Sequence, residues 1–199
     1  AAISVELEEI VVTAQKRAAR MQDVPVAISA ITAQSIQDAG ITRIEDFSNA
    51  IPNVYFDKRN LRDSSISIRG IVSETNNPGV DQGVGVYVDG VYIGRPTAIN
   101  TSLFDLERIE VLRGPQGTLY GKNTIAGAIN LISRKPDDEA RVEARARYGN
   151  YDAISGYISM SGPLAPGKVY ASVAGTIEKR DGYITNTFTG TDLDDADSI

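Results

Sequence analysis

Residues 105–133 read DLERIEVLRGPQGTLYGKNTIAGAINLIS, two strand-like runs joined by a glycine-punctuated crossing. In the first, residues 108–113, Ile109 and Val111 alternate with Arg108 and Glu110, the period of a half-buried strand. The second, residues 128–133, is apolar nearly throughout. Between them Gly114, Pro115, Gln116 and Gly117 suit a type I turn, with proline setting φ at the second position and glycine at the fourth. Gly121 and Gly127 permit further sharp bends. A plain strand-turn-strand connection is the simplest reading. A phosphate-cradling loop fails, because it needs glycine five residues before the Gly-Lys pair and Ser or Thr directly after it. Around Gly121-Lys122 those positions hold Gln116 and Asn123.

Composition narrows the function classes. The 199 residues suffice for one or two domains. Lys+Arg 20 against Asp+Glu 26 leaves a formal net charge of -6, the opposite of the basic footprint of a general nucleic-acid binder. Cysteine and histidine are both absent. Their absence removes disulfides, thiolate and imidazole metal sites, and Ser-His-Asp or Cys-His catalysis. An enzyme is therefore the weaker class, with no catalytic residue, metal or cofactor assigned. The longest apolar run, residues 24–31, falls far short of the ~18 residues of a membrane-crossing helix. No charged-then-apolar signal sequence opens the chain, so Ala1 reads as a mature terminus after processing or as the first residue of a cut piece.

Outward from the opening stretch, the chain before it reads as short elements. Glu6, Glu8 and Glu9 lead into Ile10, Val11, Val12 and Thr13, a β-branched segment with strand propensity and nothing local to pair with. Such a segment can add to a partner's sheet, or serve as a frayed terminus or edge strand. Residues 24–31 predict a strand begun by Pro25. Thr32 caps a helix over residues 33–39 that Gly40 stops. Thr42 and Glu45 form a capping box for a second helix, with Ile44, Phe47 and Ile51 on one face and Pro52 at its end. Residues 53–56 and 65–69 predict strands around a polar loop, 57–64. After a second polar loop, 73–83, Asp89-Gly90 joins residues 84–88 and 91–93 in a tight hairpin. A third loop spans 94–102.

Beyond Lys135-Pro136-Asp137-Asp138 the texture changes. Residues 141–148 set Arg141, Glu143, Arg145 and Arg147 against Val142, Ala144, Ala146 and Tyr148. Residues 151–162 and, after a Pro-Leu-Ala-Pro-Gly turn, 169–177 continue in strict alternation. Alternating strands of about ten residues with tight turns are the weak signature of a transmembrane β-barrel, and a soluble antiparallel sheet gives the same pattern.

Five ordered motifs resemble the N-terminal portion of a TonB-dependent outer-membrane receptor. Residues 8–13, Glu-Glu-Ile-Val-Val-Thr, resemble the TonB box, and residues 24–29, Val-Pro-Val-Ala-Ile-Ser, the first plug strand. Ser67-Ile68-Arg69-Gly70 follows, then residues 86–91, Val-Tyr-Val-Asp-Gly-Val, and residues 109–121, the most specific of the five. The resemblance implies an α+β plug, a small mixed sheet with short helices, held in a 22-stranded antiparallel barrel. It divides the chain into a periplasmic segment with the TonB box (1–20), the plug (21–138) and the first barrel strands (139–199). The residues after 138 are too few to close such a barrel, so the chain reads as a truncated or partly covered receptor.

By the same resemblance the protein is not an enzyme but a transporter of a scarce ligand across the bacterial outer membrane. A ferric siderophore is favoured, with cobalamin, haem or an oligosaccharide as alternatives. Glu9, Ile10, Val11, Val12 and Thr13 would pair with TonB, which transmits proton-motive work from ExbB and ExbD. Arg69 and Arg113 match plug arginines that meet glutamates of the barrel wall, a latch. Lys58, Arg59, Arg62, Asn76, Asn77 and Arg95 lie on the expected outward loops as ligand-facing candidates. Outer-membrane lipid and the remainder of the barrel complete the partners. Three rivals stand beside this: a signalling receptor, which needs an extra domain before the TonB box; a soluble structural or adhesion protein; and, last, a hydrolase.

Overall fold

The computed structural model describes residues 10–41, 46, 50–60, 63–73, 82–94, 105–189, 192–193 and 196–198. The chain forms two compact units, Ala1–Ser133 and Arg134–Ile199.

The first unit is built on five strands. These are β3 (Ala27–Thr32), β7 (Val84–Val88), β8 (Val91–Tyr92), β9 (Leu106–Arg113) and β10 (Gly127–Ser133), in the order β3-β9-β10-β7-β8. All pairings are antiparallel except β10 with β7, which is parallel, so the sheet is mixed. A hairpin of β1 (Val11–Val12) and β2 (Ala19–Arg20) precedes it. Beside it lies a three-stranded sheet of β4 (Val54–Asn60), β5 (Asp63–Ile68) and β6 (Ile71–Ser73).

Two turns form for the reasons their residues suggest. Asp89 and Gly90 both take positive φ, 48° and 84°, the type I′ geometry that Asp-Gly supplies between β7 and β8. Helix α1 (Ala33–Asp38) starts where the Thr32 hydroxyl accepts the Ser35 amide at 3.3 Å and stops before Gly40 at φ 65°.

Several expectations change. The strand predicted for residues 24–31 begins only at Ala27, because a 3-10 turn at Met21–Asp23 leads into Val24 and Pro25. The polar loop predicted over 57–64 is largely strand: Asp57 pairs with Ser65, Lys58 with Ser64 and Asn60 with Asp63. The backbone ladder there outweighs the polar composition. The predicted helix from Thr42 lies mostly outside the described residues. Residues 114–117 do not simply turn: the Gly114 and Gln116 amides prolong the ladder to the Ala126 and Thr124 carbonyls, at 2.9 Å each. One helical turn, α2 (Gly117–Tyr120), follows.

The largest change concerns β9. Its alternation predicts one wet face, yet Ile109, Glu110, Val111 and Leu112 are all buried. Ile109 and Val111 join the main core with Ile66, Ile68, Val86 and Ile129. Leu112 faces a second core with Val12, Ala14, Val24, Tyr87 and Ala128. Residues 10–24 thus cover the face that the pattern assigns to water.

The second unit is an antiparallel sheet of β11 (Arg141–Gly149), β12 (Ala153–Ala165), β13 (Val169–Arg180) and β16 (Ala196–Ser198). A separate pair, β14 (Ile184–Thr185) and β15 (Asp192–Leu193), lies between β13 and β16 in the chain. Strand β12 runs through Pro163 to Ala165, where the register shifts, so the predicted Pro-Leu-Ala-Pro-Gly turn shortens to the bend around Gly167. Val142, Ile158, Met160, Val173 and Ile177, all on one face, are exposed.

Candidate functional site

The segment Ile10–Thr13 is not free. Val12 exchanges ladder hydrogen bonds with Ala19, and the Met21 amide donates to the Ile10 carbonyl at 2.9 Å. Val12 and Ala14 are fully buried, whereas Val11 points outward. Period-2 geometry explains the contrast, since successive side chains of β1 face opposite ways.

Below this segment the sheet presents a polar row. Ala30, Glu110, Asn130 and Tyr87 are neighbours in register across β3, β9, β10 and β7. Glu110 Oε1 accepts from the Thr13 amide at 2.7 Å, from the Thr13 hydroxyl at 3.2 Å and from Arg108 Nε at 2.8 Å. Arg108 Nη2 also donates to Thr13 Oγ1 at 3.2 Å. Asn130 Nδ2 donates to the Tyr120 hydroxyl at 2.8 Å, and that hydroxyl donates to the Ala14 carbonyl at 2.7 Å. The Tyr87 hydroxyl donates to the Tyr120 carbonyl, and the two rings meet edge-on at 5.0 Å.

Burial raises the pKa of Tyr120 above the ordinary 10.0; the Asn130 hydrogen bond opposes the shift and the charge of Glu110 adds to it. Burial, then Tyr92 and Tyr120, raise that of Tyr87. Both phenols keep their protons at neutral pH and remain donors.

Arg69 lies beside Gly114, the residue that follows Arg113 at the end of β9. Arg69 and Gly70 take positive φ, 55° and 80°, turning the chain between β5 and β6 in two residues. Arg69 Nη1 lies 3.5 Å from the position a Cβ on Gly114 would occupy. Arg113 Nε is buried without a hydrogen-bond partner among the described residues. Glu9, Arg62, Asn76, Asn77 and Arg95 lie outside the described residues, as do the side chains of Lys58 and Arg59, whose backbone is in β4.

Glu110, Arg108, Tyr87, Tyr120 and Asn130 escaped the sequence reading. Asn130 carried a signal: it is the one amide in the apolar run of residues 128–133, and buried polar groups find partners. Glu110 carried none, since its neighbours suggest an ordinary wet face.

Fold and site together define a class: a small α+β plug followed by the antiparallel start of a β-barrel. The TonB-dependent Receptor Plug Domain family matches residues 20–128, and the chain belongs to that family. It is 34% identical over 187 residues to the pesticin receptor of Yersinia pestis, covering 92% of this chain and 27% of that one. It is 32% identical over 186 residues to the vitamin B12 transporter of Vibrio vulnificus, covering 90% and 29%. The crystal structure of the ferric yersiniabactin uptake receptor from Yersinia pestis superposes with a TM-score of 0.76 at 33% identity, covering 85% of this chain and 26% of that one. The chain thus spans little more than a quarter of these relatives' length.

Proposed function

We propose that this chain is the plug and first barrel strands of an outer-membrane transporter that imports a ferric siderophore. In this reading residues 9–13 are the TonB box and pair with the periplasmic TonB protein, itself driven by ExbB and ExbD. The observation that carries it is the outer edge of β1: the Val11 side chain points outward, and this two-residue strand is laddered on one side, to β2. A short strand with one edge outside any sheet suits main-chain pairing with a partner. The apolar face of β11–β13 supports outer-membrane lipid as its surroundings, because side chains there alternate apolar-out and polar-in.

A ferric chelate is favoured because the structural relative at 33% identity takes up ferric yersiniabactin. Cobalamin is the second reading, favoured by the vitamin B12 transporter among the relatives. Arg69 and Arg113 act as the plug's half of a latch to barrel carboxylates, supported by the place of Arg69 beside Gly114 and by the unmet Nε of Arg113. Lys58, Arg59, Arg62, Asn76, Asn77 and Arg95 remain ligand-facing candidates.

Val11→Pro tests the box. Proline removes a backbone donor from the pairing strand, so the full-length receptor should lose energised uptake of radiolabelled ferric siderophore while still binding it. Uptake at the wild-type rate would sink the assignment.

A further inference from the structure

Glu110 is an expensive residue to place where it is. It is fully buried in β9, an interior strand of the sheet, and its Oε2 has no hydrogen-bond partner among the described residues. Leu112 and Ala128 pack the same face with apolar side chains, and an apolar residue at 110 would avoid the cost of desolvating a carboxylate. Packing therefore does not account for Glu110. What it holds does: its Oε1 gathers the Thr13 amide, the Thr13 hydroxyl and Arg108.

The antiparallel ladder shows which edge of β1 is involved. Residues in such a pair alternate between exchanging both hydrogen bonds and pointing their N–H and C=O away. Val12 pairs with Ala19, and Ile10 accepts from Met21. The Val11 N–H and C=O, and the Thr13 N–H, therefore face the opposite edge, the only edge of this two-stranded pair on which a further strand can add to β1. On that edge the Thr13 amide is already taken by Glu110 at 2.7 Å.

We infer that Glu110 is a clamp on the outer edge of the TonB box, holding the Thr13 amide that an incoming partner strand requires. Partner pairing and the Glu110–Thr13 contact are then mutually exclusive, and releasing Thr13 is the step that opens the box. Arg108 keeps the carboxylate oriented and touches the same hydroxyl, so clamp and strand separate as one unit. Tyr120, fixed by Asn130, holds the Ala14 carbonyl one residue further on. The inference rests on the assignment of residues 9–13 as the box.

The test uses the full-length receptor without ligand in lipid nanodiscs, with amide hydrogen exchange and affinity for the purified TonB periplasmic domain as two separate readouts. Glu110→Ala should speed exchange at residues 11–14 by about tenfold, the factor carried by one hydrogen bond to a charged group at the low end of its range. Exchange at residues 127–131 should stay unchanged, and the TonB domain should bind several-fold more tightly. Should Glu110→Ala not fold, Thr13→Ala removes the two hydroxyl contacts and leaves the amide in place, and a smaller acceleration of roughly threefold is expected. Unchanged exchange at residues 11–14 in a folded variant overturns the clamp. Faster exchange with unaltered TonB affinity overturns its role in gating the partner. If Val11→Pro binds the TonB domain normally, the box assignment itself falls, and the exchange result still reports on the Glu110–Thr13 contact.

Discussion

Strands β9 and β11 share a pattern. Residues 108–111 are Arg-Ile-Glu-Val and residues 141–144 are Arg-Val-Glu-Ala, each alternating a charge with an apolar side chain. In β9, Ile109 and Glu110 are both fully buried. In β11, Val142 is 72% exposed, while Glu143 is partly sheltered and hydrogen-bonded to Arg145. The first strand has a core on one side and residues 10–24 on the other. The second shows bare hydrocarbon on the side where a soluble sheet would place its core. Alternation therefore states which residues share a face, and the covering of each face comes from other parts of the chain or from the surroundings.

Substituting equivalent positions separates the two situations most strongly. Ile109→Ala should destabilise the plug by about 2–5 kcal/mol, the range for emptying a packed core site. Val142→Ala should cost less than about 1 kcal/mol, since its side chain is exposed. Urea unfolding of the full-length receptor in lipid checks both, and equal effects would break the comparison.

A charge on the bare face sharpens it next. Ile158→Arg should lower stability by about 2–4 kcal/mol if that residue sits near the bilayer midplane, as lipid-facing cations do. The same change on a sheet facing water would be nearly silent, so unaltered stability in vesicles would remove lipid as the covering.

The smallest effect is a pH dependence confined to the covered face of β9. Tyr120 has its pKa raised in the folded state, so the stability it contributes is complete below about pH 10 and is lost as pH rises through the raised value. Hydrogen-exchange protection of residues 10–14, corrected for intrinsic rates, should hold to about pH 10 and decline above it. Tyr120→Phe should remove that decline, whereas a decline of the same size in the variant would count against the phenol.

Much of this was legible because its causes are local. Asp89-Gly90 makes its turn with two positive φ angles, Thr32 caps its own helix, and the register of β11, β12 and β13 keeps their apolar sets on one face. The burial of Glu110 was not legible, since the Thr13 that it holds lies 97 residues earlier in the chain. Ala19 and Arg20 have little strand propensity and become β2 only by pairing with β1. The strand character of residues 57–60 and 63–64 was hidden by polar side chains that favour loops.

The position of β3 has a mechanical meaning. Among the described residues it is an edge strand, paired only with β9 within its sheet, and it is the first strand of that sheet met along the chain from the N-terminal side. Tension applied before it, once the short β1–β2 hairpin has opened, arrives first at the register pair Ala27 and Arg113. From there an edge strand can peel away one pair at a time, leaving β9, β10 and β7 laddered together. The same Arg113 ends β9. A pull on the N-terminal segment is thus delivered along a short load path to the arginine proposed to fasten the plug to its barrel.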